Sequence, residues 1–374
     1  MNSRRTPSFK RFKISELCEL TKGSYPTLRT QPGEFPMVVT ADFRRSADGW
    51  DIAGPAVCVP LISSTGHGDA ALSRVHYQEG KFALANLLVA LTPKQDAPLI
   101  AKYLYFLLGN QKDKLLVPLM MGTANVSLKP KDIAEVEIEL PSIEVQQRIV
   151  AQIDAVQQQL KDVERLRSSI DSDIASLLAV RFQETLKHAT WLPMRKAAPI
   201  VRREVTIASD SNYSEVGVRS FFKGAFIRRT VTGDEFTWQK LYQIKADDLI
   251  FSNIMAWEKA IALAGSAHDK CVGNHRMLTC EANPKMALPA YLHYYFTTDE
   301  GFTKVYAASP GTAARNRTIT ADALMAIEVP LPSLALQKKF VKLKYAMEQA
   351  AVIRANQMVS VDAMLPALCN QVLS

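Results

Sequence analysis

The feature that most constrains this chain is a plan that occurs twice. Gly122-Thr123 leads through the alternating run Val136-Glu137-Ile138-Glu139-Leu140 to a Pro141-Ser142 turn, which feeds a glutamine-rich run from Ile143 to about Leu186. Gly311-Thr312 leads in the same way through Ile327-Glu328-Val329-Pro330-Leu331 to Pro332-Ser333, then Leu334 and Gln337, and into a second helical run that reaches the C-terminus. Self-similarity on this scale is the mark of a duplicated architecture.

The two helical runs set the rest. Ser142 is well placed as the cap of the first, and Glu144 in its first turn meets the positive end of the helix dipole. Apolar residues then recur at Ile149, Ile153, Val156, Leu160, Val163, Leu166, Ile170, Ile174 and Leu177, in steps of three or four. Such a seam belongs to helices that pair along their length. At about 1.5 Å per residue the run is roughly 60–65 Å long and needs an equally long partner. The C-terminal run supplies one through Phe340, Leu343, Met347, Ala350, Met358, Val361, Leu365 and Leu368. The fold expected is therefore mixed α/β: two pseudo-repeated α/β units, at opposite ends of two long helices packed as an antiparallel coiled coil. Its boundaries fall at 1–142, 143–189, 190–332 and 333–374.

Composition narrows the class. A chain of 374 residues, 48% hydrophobic and 22% charged, is globular rather than disordered and has room for two or three cores. Its formal charge of +8 favours an anionic partner, nucleic acid before a membrane surface. The excess gathers in residues 195–229, where Arg195, Lys196, Arg202, Arg203, Arg219, Lys223, Arg228 and Arg229 stand against Glu204, Asp210 and Glu215. A solvated surface accounts equally well for such a run. Cys18, Cys58, Cys271, Cys280 and Cys369 are scattered without a C-x-x-C, which suits buried thiols in a reducing cytoplasm rather than a zinc ribbon or redox pair. Residues 1–13 are basic with no apolar stretch behind them, and the most apolar run, residues 82–91, is about half a bilayer span. A cytoplasmic protein with no membrane partner is expected.

Within the first unit, Lys22-Gly23-Ser24, Gln31-Pro32-Gly33, Asp48-Gly49 and Gly66-His67-Gly68 punctuate short strands. Residues 82–91 read as one buried strand, Pro98 as a helix start ahead of Tyr103 and Phe106, and Ile133, Val136, Ile138 and Leu140 as one strand. In the second, Leu249-Ile250-Phe251 reads as a strand, and Leu288-Pro289-Ala290-Tyr291-Leu292-His293-Tyr294-Tyr295-Phe296 repeats the character of Ile100-Ala101-Lys102-Tyr103-Leu104-Tyr105-Phe106-Leu107-Leu108. Those aromatics suit stacking on bases, but helical spacing turns them toward packing on a sheet.

At this point the chain resembles the specificity subunits of type I restriction-modification enzymes. The resemblance rests on Ile138-Glu139-Leu140-Pro141-Ser142-Ile143-Glu144-Val145-Gln146 and Val329-Pro330-Leu331-Pro332-Ser333-Leu334-Ala335-Leu336-Gln337, each behind a Gly-Thr pair. It is extended by the helix-end runs Ser176-Leu177-Leu178-Ala179-Val180-Arg181-Phe182 and Ala363-Met364-Leu365-Pro366-Ala367-Leu368-Cys369. In the second unit Glu215-Val216-Gly217-Val218-Arg219-Ser220-Phe221, Lys245-Ala246-Asp247-Asp248-Leu249-Ile250-Phe251 and Ala256-Trp257-Glu258-Lys259-Ala260 fit as well. Asp247-Asp248 departs from the Gly-Asp common in that family, and Cys369 from its usual aromatic. The resemblance implies two target-recognition domains, each reading one half of a bipartite double-stranded DNA site, with the helices as a spacer. It implies docking of two methyltransferase (modification) subunits and, through them, of motor-nuclease (restriction) subunits, with no cofactor and no catalysis by this chain.

Binding DNA takes phosphate contacts for affinity and base-edge contacts for specificity. The loop candidates in the first unit are Lys22, Ser24, Arg44, Arg45, Arg74, Asn125 and Lys129. In the second they are Arg219, Lys223, Arg228, Arg229, Trp257, Lys259, Asn274, His275, Arg276, Arg315, Asn316 and Arg317. Arginine grips guanine and asparagine adenine in bidentate fashion, which is why those types lead. For each alone a solvated surface is the better reading; as a set, Arg315-Asn316-Arg317 beside Gly311-Thr312 forms the best cluster.

Catalytic motifs are sparse. No Asp/Asn-Pro-Pro-aromatic motif marks an amino-methyltransferase, no G-x-x-x-x-G-K-[ST] marks a motor, and Gly66-His67-Gly68 lacks the third glycine of a dinucleotide loop. Asp69 with Glu79-Gly80-Lys81 has the spacing of a magnesium-dependent nuclease core, but reads equally as a turn before the next strand. A self-contained nuclease is thus one rival reading, and a coiled-coil scaffold for other proteins a second.

Overall fold

Ile138 and Leu140 are buried while Glu137 and Glu139 are exposed, the period of two that a strand covered on one face requires. That strand and its surroundings are seen in a computed structural model describing residues 9–65, 68–123, 125–236, 240–311 and 317–373. One unit runs to Arg167 and takes in the chain from Ala355 on; the other is Ser168–Arg354.

The first unit carries β1 (Lys10–Lys13), α1 (Ile14–Leu17), β2 (Cys18–Lys22), β3 (Phe35–Val38), β4 (Arg44–Ala47), β5 (Ile52–Ala53), β6 (Ala56–Pro60), β7 (His76–Gln78), β8 (Lys81–Leu84) and β9 (Leu88–Pro93). α2 (Ala101–Leu115), α3 (Pro130–Ala134), β10 (Glu137–Leu140) and the start of α4 (Ile143–Leu186) follow. Two four-stranded sheets, ordered β2-β9-β6-β7 and β4-β3-β8-β5, form its body. α2 buries Tyr103, Leu104, Phe106, Leu107 and Leu108 among Val57, Val59, Val89 and Leu91.

Residues 82–91 prove to be two strands in different sheets, not one. Asn86 turns the chain, its N–H donating to Tyr25 O at 2.9 Å, and the apolar stretch on either side fills two neighbouring clusters. Ile133 lies in α3, because Pro130 starts a helical turn there, so the strand begins only at Glu137. α2 begins at Ala101 rather than at Pro98.

The second unit continues with β11 (Thr190–Pro193), α5 (Met194–Ala197), β12 (Asn212–Val218), β13 (Ala225–Thr232), β14 (Leu241–Gln243), β15 (Leu249–Ser252), β16 (Ile261–Leu263), β17 (Val272–Asn274) and β18 (Met277–Cys280). Then come α6 (Pro289–Thr297), α7 (Asp299–Ala307), α8 (Ala321–Ala326), β19 (Glu328–Leu331), α9 (Leu334–Asp362) and α10 (Met364–Leu373), the last lying in the first unit. Its sheets are β13-β12-β17-β14 and β16-β15-β18. The aromatics of α6 are core, as their spacing required. Phe182 of α4 packs within 5.1 Å of Tyr291, 5.0 Å of Tyr294 and 5.3 Å of Phe340 between ring centroids, and Thr185 Oγ1 lies 2.7 Å from the Tyr291 hydroxyl.

Each unit hangs on its long helix by the same device. In the first, β1 pairs antiparallel with β10, and Ile14 N donates to Val136 O at 2.9 Å. Fully buried Gln146, in the first turn of α4, accepts from Ile100 N at 2.9 Å and donates to Pro98 O at 2.9 Å and Pro141 O at 3.0 Å. In the second, β11 pairs with β19 and Met194 N donates to Ile327 O at 2.8 Å. Gln337, equally buried, accepts from Leu288 N at 2.8 Å and donates to Met286 O and Pro332 O, each at 2.8 Å. Buried and half-buried backbone groups need partners, and here one amide serves three of them. This is why α2 starts where it does: the N–H of its cap residue and a carbonyl of the preceding loop belong to Gln146. Gly122 and Gly311 match too, with φ of 136° and 147°, a region closed to other residues; Thr312 lies outside the described residues.

The long helices depart from the expected seam in two respects. α9 and α10 are two helices, since Pro366 has no N–H for the carbonyl of Asp362 and its ring clashes there. The seam is covered only in part. Ile153 and Phe340 are buried, and Ile149, Val156, Leu160, Ile174, Leu343, Met347, Met358, Val361 and Leu365 half-buried, but Val163, Leu166, Ile170 and Leu177 stay 38–58% exposed. Two helices by themselves bury only a narrow stripe. In the second unit Arg354 meets Asp171 at 2.9 Å and Phe340 meets Phe182; in the first, Leu365, Leu368 and Cys369 pack with Ile149, Val150 and Ile153. Among the described residues no helix is long and apolar enough to cross a membrane.

Candidate nucleic-acid interface

The candidates of the first unit fall into two groups. Lys22 at the end of β2, Arg45 on β4, Asn125 and Lys129 are exposed; Arg45 also donates to Thr27 O at 2.7 Å. The others are engaged inside the unit. Ser24 gives its N–H and hydroxyl to Asp51 Oδ2 at 3.0 and 2.8 Å, and Asp51 Oδ1 takes the N–H of Leu84 at 2.8 Å. Arg74 pairs with Asp42 at 3.4 Å. Arg44 is half-buried and spends its guanidinium on Gln78 Oε1 at 3.0 Å, Tyr77 O at 3.1 Å and His76 Nδ1 at 3.3 Å. His76 is pushed down to about 4, first by burial and then by the neighbouring Arg44 and Arg74 charges.

In the second unit the candidates cluster. β12 and β13 form a hairpin whose register shifts between Glu215 and Val216, so Arg228 bulges and both Arg228 and Arg229 reach Glu215. Arg229 Nε lies 2.8 Å and Arg228 NH1 3.9 Å from that carboxylate, which is 96% shielded. The Glu215 hydrogen bond, then its charge, raises the Arg229 pKa. At the hairpin tip Arg219 lies over Phe226 at 4.1 Å, and Lys223 is exposed. The tip is pinned to the turn after β15: Phe221 N and Phe222 N donate to Glu258 O and Lys259 O, both at 2.9 Å. Trp257 keeps its indole N–H for Ile254 O at 2.8 Å, and Lys259 sits over Phe302 at 5.1 Å.

Asn253 ties this tip to the remaining candidates. Its N–H donates to Arg276 O at 2.9 Å and its carbonyl accepts from Ile319 N at 2.8 Å. The turn Asn274-His275-Arg276 is closed by Asn274 Oδ1 accepting from Arg276 N at 2.9 Å, with His275 and Arg276 exposed. Arg317 stacks over Tyr306 at 4.2 Å and donates to Ser309 O at 3.3 Å. Arg315 and Asn316 lie outside the described residues. Sequence reading passed over Asn253, Asp51 and the exposed Phe221; a lone polar or aromatic loop residue gives no periodic signal to find it by.

The residues of the nuclease reading have other occupations. Glu79 Oε1 accepts from the Tyr77 hydroxyl at 2.6 Å, and Lys81 lies over Trp50 at 4.6 Å. Among the described residues no group of three His, Cys, Asp or Glu is placed to hold a metal ion.

The chain is built of mixed α/β units that carry cationic loops. Residues 8–169 match the family model described as the type I restriction modification DNA specificity domain. Over that span the chain is similar to this family, and the resemblance to type I specificity subunits drawn from its motifs is borne out. A putative type I specificity subunit of Mycoplasma pneumoniae is 29% identical over 148 residues, 38% of this chain and 45% of that protein. The chain thus matches under half the length of that curated relative. The fold is shared with the HsdS subunit from Thermoanaerobacter tengcongensis at 16% identity, covering 98% of this chain and 97% of that one with a TM-score of 0.57. It is shared also with a chain from a structure on complex assembly and conformational transition of the type I R-M system, at 15% identity, covering 100% and 99% with a TM-score of 0.64.

Proposed function

We propose that the chain is the DNA-reading subunit of a type I restriction-modification complex, without catalysis of its own. Each of its two units reads one half of a bipartite duplex target. The observation that carries the reading is the shared attachment. The specificity-domain match covers the first unit through Gln146, and the second unit repeats the same hydrogen-bonded anchoring through Gln337. A second unit built and hung like a DNA specificity domain is expected to do the same work, and its loops carry Arg219, Lys223, Arg228, Arg276 and Arg317 for it. In the first unit the free reach belongs to Lys22, Arg45, Asn125 and Lys129, while Arg44 and Ser24 hold the loops that present them.

In this reading α4 and α9 form the antiparallel spacer between two pseudo-repeated recognition domains, the first spanning 1–142 and the second 190–332. The apolar side chains that pairing leaves open, such as Ile170, Leu177 and Val180 in the second unit, are docking surface for methyltransferase subunits, which in turn recruit the motor-nuclease subunits. Exposed apolar residues along one helix suit a protein partner. The test is methylome sequencing of cells with and without the chain. A bipartite adenine-methylation motif that disappears with the chain is the expected result; methylation unchanged by its loss refutes the function.

A further inference from the structure

The tip of the β12–β13 hairpin holds two consecutive aromatic residues in the left-handed backbone region, Phe221 at φ 60° and Phe222 at φ 55°. Bulky side chains rarely adopt it, and such outliers persist only where the surroundings enforce them. Here the enforcement is visible. Beyond the two backbone bonds to Glu258 O and Lys259 O, Ser220 Oγ donates to Glu258 Oε2 at 3.1 Å, and Lys259 is itself left-handed at φ 65°. This geometry turns Phe222 inward, edge-on to Phe302 at 5.9 Å, and leaves Phe221 outward, 64% exposed. A glycine would take the Phe221 position without strain, so packing gives no reason for an aromatic ring there.

The ring stands in cationic surroundings. Lys223 Nζ lies 6.0 Å from it, Arg219 is exposed two residues before it, and the nearby acid Glu258 is occupied by Ser220. An apolar ring at a hydrogen-bonded tip between exposed cations is poorly matched to an apolar protein surface and well matched to a duplex, whose phosphates take the cations and whose base stack takes the ring. We infer that Phe221 is a wedge that presses into the base stack of the half-site read by the second unit. This rests on the DNA-reading function proposed above. The cations fix the register, and the wedge favours sequences that unstack readily there, pyrimidine–purine steps first. It therefore contributes specificity without a base-edge hydrogen bond.

The test uses the full chain with its methyltransferase partner and duplexes carrying the motif found by methylome sequencing. 2-Aminopurine is placed in turn at positions of the second half-site other than the methylated adenine. At least one position should brighten several-fold on binding. Phe221→Ala should abolish that signal and weaken cognate binding by about ten- to a hundredfold, with the salt dependence unchanged because no phosphate contact is removed. Phe221→Trp should keep both, and Phe221→Gly should lose both while raising thermal stability. A signal that survives Phe221→Ala overturns the wedge, as does a Phe221→Ala chain that fails to assemble with the methyltransferase while its DNA signal persists. A wild-type complex with no preference for the cognate duplex overturns the DNA-reading function itself, a result separable from either.

Discussion

Removing the Gln146 amide should destabilise one unit by far more than an ordinary polar substitution. Gln146→Ala deletes three hydrogen bonds at once and leaves Ile100 N–H, Pro98 C=O and Pro141 C=O without that partner around a fully buried side chain. An unsatisfied buried group costs about 1–3 kcal/mol, so the loss should be about 3–5 kcal/mol. The exposed neighbour Gln147 is the control, with a change expected within about 0.5 kcal/mol. Gln146→Glu keeps the acceptor but sets a carboxylate against two carbonyl oxygens, so it should cost at least as much as alanine. Urea unfolding gives the magnitude, and hydrogen exchange resolved by peptide gives the place. Exchange should accelerate around residues 98–104 for Gln146→Ala and around residues 286–292 for Gln337→Ala. A loss below about 1 kcal/mol for Gln146→Ala, or acceleration in the other unit, would refute the reasoning.

Two further outcomes follow from charge. His76 and His293 are each pushed down to about 4, mainly by burial, aided by Arg44 and Arg74 for His76 and by Lys344 for His293. Unfolded, they titrate near 6.5 and bind protons that the folded chain refuses. Their effect is therefore nil above pH 6.5 and grows as pH falls toward 4, reaching about 3 kcal/mol of lost stability for each; His76→Gln should flatten the acid decline of the first unit in urea midpoints taken between pH 7 and 4.5. In the second unit, Lys223→Gln with Arg228→Gln should weaken binding to all duplexes alike and lower the salt slope by about one per lost phosphate contact. Arg229→Gln should instead show as lost folding stability, because it strands the shielded Glu215 carboxylate; equal effects of Arg228→Gln and Arg229→Gln on stability would contradict the assignment.

The duplicated plan was legible because the Leu-Pro-Ser turn, the glutamine behind it and the helical seam are all local patterns. The role of that glutamine was not, since two of its three partners lie 46 and 48 residues away in the first unit and 49 and 51 in the second. The Asp247 departure from the family's glycine acquires a cause: it sits at φ 67°, a position glycine takes freely and aspartate tolerates. Asp248 beside it is buried and accepts both arms of Arg203, at 2.7 and 3.0 Å. Arg203 counted toward the basic run in the sequence but is spent on folding. The same holds for Arg44, whose partners on β7 come from another strand altogether. Charge and residue type mark loops that face an anion, but only tertiary contacts decide which guanidinium is free. Apolar residues 82–91 misled for a related reason: burial on both faces removes the alternation that separates two strands from one.

In the proposed function two readers are joined through one helix, and inserting a single helical turn after Gln157 tests that most directly. Methylome sequencing of cells carrying that variant should return both original half-sites with a longer gap between them, because in the proposed function the helix sets the half-site spacing. The same half-sites at the original gap would contradict it.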